Sequence, residues 1–309
     1  MIGLGRQVDG GHQRSVAIVI VAGSTGVLGL EICRRLRERG KPVRALVRVT
    51  SAPERVHALE ALGCEIVTCD LKDPASLGPA CAGGAVVIST VTAITTARED
   101  DSFAATDEAG NKSLVDAAVR AGAEQFIFVS FDPGGMPDAP LVNAKREVDQ
   151  HLERSGLGYT ILHPALFMES WLGPRLFVNT AAGTATVYGS RDARFRYVAV
   201  ADVAEVAVRC VDDPAARNAV IAFGGPDALT QREALAIFEE AFAQRFTVTE
   251  LPGEALERQW AGAPDPFSRS FAALMLGVAR GAAAGSELPA SFPIRLTTVR
   301  EFANGLRNH

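Results

Sequence analysis

A chain of 309 residues, 48% hydrophobic and 22% charged, is long enough to bury one large core or two modest ones. Its formal net charge of -5, with no stripe of Lys and Arg, excludes a general nucleic-acid binder, because the phosphate backbone rewards clustered cations. Five cysteines, an odd number without a Cys-x-x-Cys pair, fit a reducing cytoplasm with small buried thiols better than a disulfide framework. The most apolar late stretch, Phe271 to Ala284, is too short for a bilayer and is broken by Arg280, so no membrane span is expected. Met1 to Ser15 is polar and glycine-rich, without the apolar core of a secretory signal, and reads as a flexible leader.

In chain order, Ala17 to Ala22 is a β-branched strand, and the helix after it ends before Gly40. Val43 to Val47 is a second strand, Ala52 to Leu62 a helix stopped by Gly63, and Glu65 to Thr68 a third strand. Asp73 caps a short helix with Pro74 at its first position, where the missing N–H costs nothing. Ala85 to Ser89 is the fourth strand. A polar stretch from Thr90 to Asp101 then leads into a helix through Leu114, Val115, Ala118 and Val119 that stops near Gly122. Gln125 to Ser130 is the fifth strand, Asn143 to Ser155 a helix and Tyr159 to Leu162 the sixth. Strands alternating with helices require parallel pairing through right-handed crossovers, so the fold class is α/β, a doubly wound parallel sheet of the Rossmann kind.

Past Pro164 the alternation breaks into glycine- and proline-punctuated pieces. Asp202 heads a helix through Val203, Val206 and Cys210, and Ala219 to Phe223 is a strand. Thr230-x-x-Glu233 is a capping box before the stripe of Leu235, Phe238, Ala241 and Phe242, and Thr247 to Leu251 is a further strand. The expected division is a leader at 1–15, a dinucleotide-binding domain at 16–164 and a smaller, partly helical substrate region at 165–309. Elements at about 198–225 pack back on the first domain, and the cleft lies over the carboxyl ends of the strands.

The spacing Gly23-x-x-Gly26-x-x-Gly29, between a strand and a helix, is the pattern of a phosphate cradle. Glycine lets the turn tighten and the backbone approach a pyrophosphate, and the helix N-terminus supplies N–H groups. Ser24, Thr25, Val27 and Leu28 complete that loop. The second strand carries no carboxylate to take up a ribose 2′-hydroxyl. It ends in Arg48, whose guanidinium suits a 2′-phosphate, so NADP(H) is expected over NAD(H); the plainer alternative is a solvated arginine at a strand end. Asp70 and Leu71 border the adenine side, or Asp70 simply makes a turn. Ser89 and Thr90 line the ribose side.

Together Val21-Ala-Gly-Ser-Thr-Gly-Val-Leu-Gly29, Arg44-Ala-Leu-Val-Arg48, Thr68-Cys-Asp-Leu71, Asp116-Ala-Ala-Val-Arg-Ala-Gly122, Phe126-Ile-Phe-Val-Ser130 and Tyr159-Thr-Ile-Leu-His-Pro164 resemble the atypical short-chain dehydrogenase/reductases, in particular their NmrA-like branch. That branch mixes NADPH-dependent quinone, azo and isoflavone-type reductases with regulators that bind the dinucleotide without turnover. The resemblance implies a Tyr-x-x-x-Lys pair in catalytic members. Lys145 matches the lysine, which holds the nicotinamide ribose, but Leu141 stands where the tyrosine proton donor would be. Ser130 and Asn111 match the remaining catalytic positions, and each also suits a cap or turn.

The five histidines, His12, His57, His151, His163 and His309, form no pair at metal-ligand spacing, so no metal is expected; His163 reads as a satisfied, half-buried imidazole. The absence of a Gly-x-Ser-x-Gly elbow and of a Gly-Lys-Ser/Thr ending argues against a hydrolase and a P-loop. Phe131, Met136, Phe167, Met168 and Trp171 would offer a flat, apolar substrate surface, or form core between the two regions. The reading is a cytoplasmic NADP(H)-dependent reductase passing hydride to a small apolar electrophile, a quinone or enone. Its rival is a non-catalytic NADP(H) sensor, and a sugar-nucleotide epimerase is disfavoured by the missing tyrosine. The partners expected are a small-molecule substrate and at most a second copy of the chain, as a homodimer.

Overall fold

The computed structural model describes residues 17–94, 101–190, 192–282 and 284–307, so the leader expected at 1–15 lies outside the described residues. The first half alternates as β1 (Ile18–Ala22), α1 (Val27–Glu38), β2 (Val43–Val47), α2 (Pro53–Ala61), β3 (Glu65–Thr68), α3 (Pro74–Cys81) and β4 (Gly84–Ser89). It continues with α4 (Asn111–Arg120), β5 (Gln125–Val129), α5 (Pro140–Glu153) and β6 (Gly158–Pro164). Then come α6 (Met168–Trp171), β7 (Val178–Asn179), β8 (Thr184–Tyr188), β9 (Arg194–Phe195), α7 (Val200–Cys210) and β10 (Ala219–Phe223). The chain closes with β11 (Leu229–Thr230), α8 (Gln231–Phe242), β12 (Thr247–Leu251), α9 (Gly253–Ala261), α10 (Pro266–Ala279) and α11 (Val299–Arg307).

Seven strands form one sheet in the order β10-β6-β5-β4-β1-β2-β3, with every pair parallel. This is the doubly wound α/β arrangement, with its change of winding direction between β1 and β4, where ligands sit in such sheets. Side chains alternate across each strand, so Val19 and Val21 of β1 point into a core with α1, α2 and α7, while Ile20 and Ala22 face α3, α4 and α5. Phe126 and Phe128 of β5 are fully buried on the second face. Each contributes about 2–3 kcal/mol relative to leaving its ring in water.

From beyond Pro164, α7 packs against α1 and β10 pairs with β6, so both are part of the layers of this sheet. Most of the remaining elements gather around a separate apolar cluster that includes Phe177, Phe195, Tyr197, Phe238 and Phe246, while α9 and α10 meet β8 around Tyr188, Leu256 and Leu276. There β8 lies between β7 and β12, and α8 starts on the capping box that Thr230 and Glu233 make. Helix α10, foreseen only as an apolar stretch, packs on α9 and on α5.

Three local features differ from expectation. Helix α5 begins at Pro140, three positions before Asn143, because proline is well placed in the first turn of a helix. Strand β5 ends at Val129, so Ser130 is the first residue beyond it. Helix α4 is entered through a wide π-helical run, Phe103–Gly110, capped by Ser102, whose hydroxyl accepts from the Ala105 N–H. Such wide turns recur at functional sites.

Candidate functional site

The glycine turn follows β1. Gly23 has φ +77°, and a Cβ there would stand 2.5 Å from Thr90 Oγ1, so the turn is held against the end of β4. At Gly29 a Cβ would lie 2.2 Å from the Gly23 carbonyl oxygen, which fixes why helix and turn can touch only with hydrogen there. The buried Ser24 hydroxyl donates to the Leu46 carbonyl and anchors the turn to β2 (2.7 Å). The N-terminus of α1, with Gly26 as its cap residue, has neither a side-chain cap nor an acidic residue in its first turn, and Gly26 and Val27 are exposed. Its positive dipole end is therefore open to an outside anion.

At the end of β2, Arg48 meets Asp101: Nη1 lies 2.7 and 3.0 Å from the two carboxylate oxygens. Lys72, just past β3, places Nζ 3.0 Å from Asp101 Oδ1, to which the Thr106 hydroxyl also donates (3.2 Å). The Asp101 side chain is 1% exposed, against 29% for Arg48 and 21% for Lys72. Burial works to raise the Asp101 carboxyl, but the charged hydrogen bonds from Arg48 and Lys72 outweigh it and hold the pKa at about 2. Asp70 turns the loop, accepting from the Lys72 N–H, and its carboxylate is 3.9 Å from Lys72 Nζ. Leu71 is buried against the sheet.

Beyond β4, Lys145 of α5 reaches back to the carboxyl ends of the central strands β4 and β5. Its Nζ lies 3.5 Å from Asp107 Oδ1, 3.4 Å from the Val91 carbonyl and 4.8 Å from the centre of the Phe128 ring. Asp107, fully buried on the π-helical run, accepts the Ala93 N–H on its other oxygen (2.8 Å). Asn111 faces the same knot, where its amide donates to the Asp107 and Thr106 carbonyls and its oxygen accepts the Ser89 hydroxyl (2.6 Å). Both Asn111 and Ser89 are fully buried, so their visible work is to brace the end of β4. Thr90 closes the glycine turn, its hydroxyl donating to the Ala22 carbonyl.

Ser130 donates to Asp149 Oδ2 (3.2 Å), and His163 Nε2 lies 3.1 Å from the same oxygen, while Asp149 Oδ1 is buried without a hydrogen bond. Leu141, one turn before Lys145, is 2% exposed and packs with Ala93 and Phe103, and its N–H donates to Ser270 of α10. No tyrosine replaces it. Tyr159 is the second residue of β6, the Tyr188 hydroxyl donates to the Leu176 carbonyl, and Tyr197 is buried in the separate cluster. Burial raises the phenol pKa of Tyr188 and Tyr197.

The aromatic residues of the expected substrate surface are dispersed. Phe131 is half-buried beside Leu141, with Met136 near it on the Ala139–Val142 side. Phe167 packs against the sheet core, whereas Met168 is fully buried and Trp171 partly buried in the second cluster. Nothing in the sequence gives Lys72, Asp107 or Asp149 a place at the site, and Asp101 stands there only as the end of a polar stretch. A buried cation demands a counter-charge, but nothing in the spacing says which acid supplies it.

Among the described residues no group of three or more His, Cys, Asp or Glu could hold a metal ion, and no helix is long and apolar enough to cross a membrane. The chain is similar to several characterised proteins. It is 30% identical over 257 residues to (4-alkanoyl-5-oxo-2,5-dihydrofuran-3-yl)methyl phosphate reductase of Streptomyces griseus, covering 82% of this chain and 84% of that protein. It is 29% identical over 241 residues to photosystem II assembly factor Ycf39 of Cyanophora paradoxa, covering 77% and 73%. One Arabidopsis thaliana relative is longer, and the chain spans 59% of its length. Among solved structures, the complex of leucoanthocyanidin reductase with NADPH from Vitis vinifera superposes with a TM-score of 0.80 at 19% identity, over 95% of this chain and 100% of that one. Residues 16–302, nearly the whole sequence, match one family description. The chain belongs to the NmrA-like family.

Proposed function

We propose that this protein is an NADP(H)-dependent reductase that delivers hydride to a small apolar electrophile, a quinone or an enone. The observation that carries the reading is a cradle with matched ends. A helix N-terminus without a resident acid follows the glycine turn, the Arg48–Lys72 cation pair stands at the ends of β2 and β3, and Lys145 is held at the end of β4. Each suits one part of the dinucleotide, respectively the pyrophosphate, the 2′-phosphate and the nicotinamide ribose. The similar Streptomyces protein is named a (4-alkanoyl-5-oxo-2,5-dihydrofuran-3-yl)methyl phosphate reductase, and the superposed grape structure is named as an NADPH complex.

When bound, NADPH supplies the hydride from its nicotinamide. The chain's own residues position rather than donate. Lys145 holds its ammonium fixed between Asp107, Val91 and Phe128, and the Ser89–Asn111 pair keeps the strand end from shifting. With Leu141 sealed in apolar packing, no phenol stands ready to protonate a strongly basic alkoxide. Reduction to a hydroquinone or a stabilised enolate asks less of the protein, since such oxyanions take their proton from water.

The test is NADPH oxidation by purified protein against quinones, azo compounds and enones, alongside NADPH and NADH binding to the wild type and Arg48→Ala. Turnover on one class, with NADPH preference lost in Arg48→Ala, supports the reading. Tight NADPH binding without turnover on any class overturns it. A second reading, a non-catalytic NADP(H)-responsive partner protein, is favoured by Leu141 and by the likeness to an assembly factor. It requires partner binding that changes with the cofactor.

A further inference from the structure

The Arg48–Lys72 pocket already holds an anion, and that anion belongs to the chain. Asp101 receives hydrogen bonds from Arg48, Lys72 and Thr106, and its side chain is buried beneath them. Asp101 engages both cations at once, and Lys72 Nζ also lies 3.9 Å from Asp70 Oδ2. Both cations keep a quarter or so of their surface open to solvent, at 29% and 21%. Both cations therefore reach solvent, but their hydrogen-bonding capacity is partly spent.

Resting on the functional reading above, we propose that Asp101 is a displaceable counter-ion that competes with the ligand's 2′-phosphate for Arg48 and Lys72, and so sets the margin by which the phosphorylated dinucleotide is preferred. A phosphate monoester carries about -1.5 to -2 charges at neutral pH and three acceptor oxygens, against one charge and two oxygens for the carboxylate. It can outcompete Asp101 for the guanidinium fork and the ammonium together. A neutral 2′-hydroxyl cannot, and NADH leaves the internal pairs in place. The price of this arrangement is affinity: part of the phosphate's attraction is consumed in releasing Asp101. It also suppresses binding of adventitious anions, since a lone inorganic ion gains nothing from the neighbouring cradle.

The experiment compares wild type, Asp101→Asn and Asp101→Ala by calorimetric titration with NADPH, NADH, adenosine 2′,5′-bisphosphate and 5′-AMP at two salt concentrations. Asn keeps a partner for Thr106 and removes the charge. Both variants are expected to bind NADPH and the bisphosphate about tenfold more tightly, with a steeper loss at high salt, while NADH and 5′-AMP change by less than about twofold. Unchanged NADH binding also reports that the variants are folded. Equal or weaker NADPH binding in both folded variants overturns the counter-ion role and leaves the cofactor assignment standing. Weakened NADH binding instead would assign Asp101 to a ribose hydroxyl and likewise overturn it. If wild type binds neither dinucleotide but Asp101→Asn takes up NADPH, the counter-ion role is supported. If no protein binds either dinucleotide, both the role and the functional reading fall.

Discussion

The buried Lys145–Asp107 pair is the sharpest point at which to perturb the site. Lys145 is 5% exposed and Asp107 fully buried, with Nζ and Oδ1 3.5 Å apart. At an effective dielectric near 20, charges at that separation attract by about 5 kcal/mol, from which the cost of taking both out of water is subtracted. Asp107→Asn keeps an oxygen for the Ala93 N–H but leaves the lysine without its carboxylate; Lys145→Met does the reverse. Each single change is expected to cost about 3–5 kcal/mol, because a buried charge is stranded. The double variant strands none and should cost only about 1–2 kcal/mol, for a coupling energy of about 3–5 kcal/mol. Urea unfolding of the four proteins measures all of this. Additive losses, within about 0.5 kcal/mol, would refute the idea that these two groups neutralise each other in the fold. The same set separates folding from chemistry: if the double variant regains stability but not NADPH turnover, the ammonium serves the ligand as well as the core.

Gly29→Ala pushes a methyl against the Gly23 carbonyl at 2.2 Å and the Ser24 Cα at 2.9 Å, so it should lower stability by about 3 kcal/mol and weaken dinucleotide binding, as thermal melts with and without NADPH would show. Thr230→Ala, at the α8 cap, should cost about 1 kcal/mol in the same melts and leave NADPH binding untouched. Asp101 links stability to acid. Its carboxyl is depressed from 3.8 to about 2 in the folded chain, so its contribution is whole above about pH 4 and is lost as pH falls towards 2. That shift corresponds to about 2 kcal/mol. The stability difference between wild type and Asp101→Asn should accordingly shrink over this range, and a difference that stays constant from pH 5 to about 2 would show that the carboxylate is not the source.

Strand and helix alternation made the parallel sheet legible, because buried strands and amphipathic helices announce themselves by periodicity within a dozen residues. The glycine turn was equally legible, since Gly23 and Gly29 are required by contacts with residues close in sequence and at the neighbouring strand end. Lys145 could be placed on a helix, but the expected start at Asn143 left Leu141 outside it, and the helix begins at Pro140. The short strands β7, β9 and β11 left no comparable signal. They are two residues long, and their pairing depends on which distant segments the second cluster brings together.

What the sequence reading lacked at the site has a single physical origin. Arg48 and Lys145 are legible from a strand end and a helix, whereas Lys72 and the carboxylates Asp101 and Asp107 are not; both carboxylates come from one continuous run leading into α4. A cation at a strand end is visible because strand ends are visible. Asp107 lies on the π-helical run Phe103–Gly110 and Asp101 two residues before it, and a 3.6-residue pattern gives no register for such a turn. That same run carries Thr106, which bonds Asp101, and ends on Asn111, which bonds Ser89. One segment therefore touches both ends of the proposed cradle, the 2′-phosphate pocket and the lysine. Releasing Asp101 from Arg48 must be felt first by Thr106, whose carbonyl in turn receives the Asn111 amide (3.3 Å). The coupling this implies is local and mechanical. Asn111→Ala should loosen the end of β4 and narrow the gap in affinity between NADPH and NADH as well, although Asn111 touches neither cation. A variant that weakens both dinucleotides equally would show the two ends to be independent.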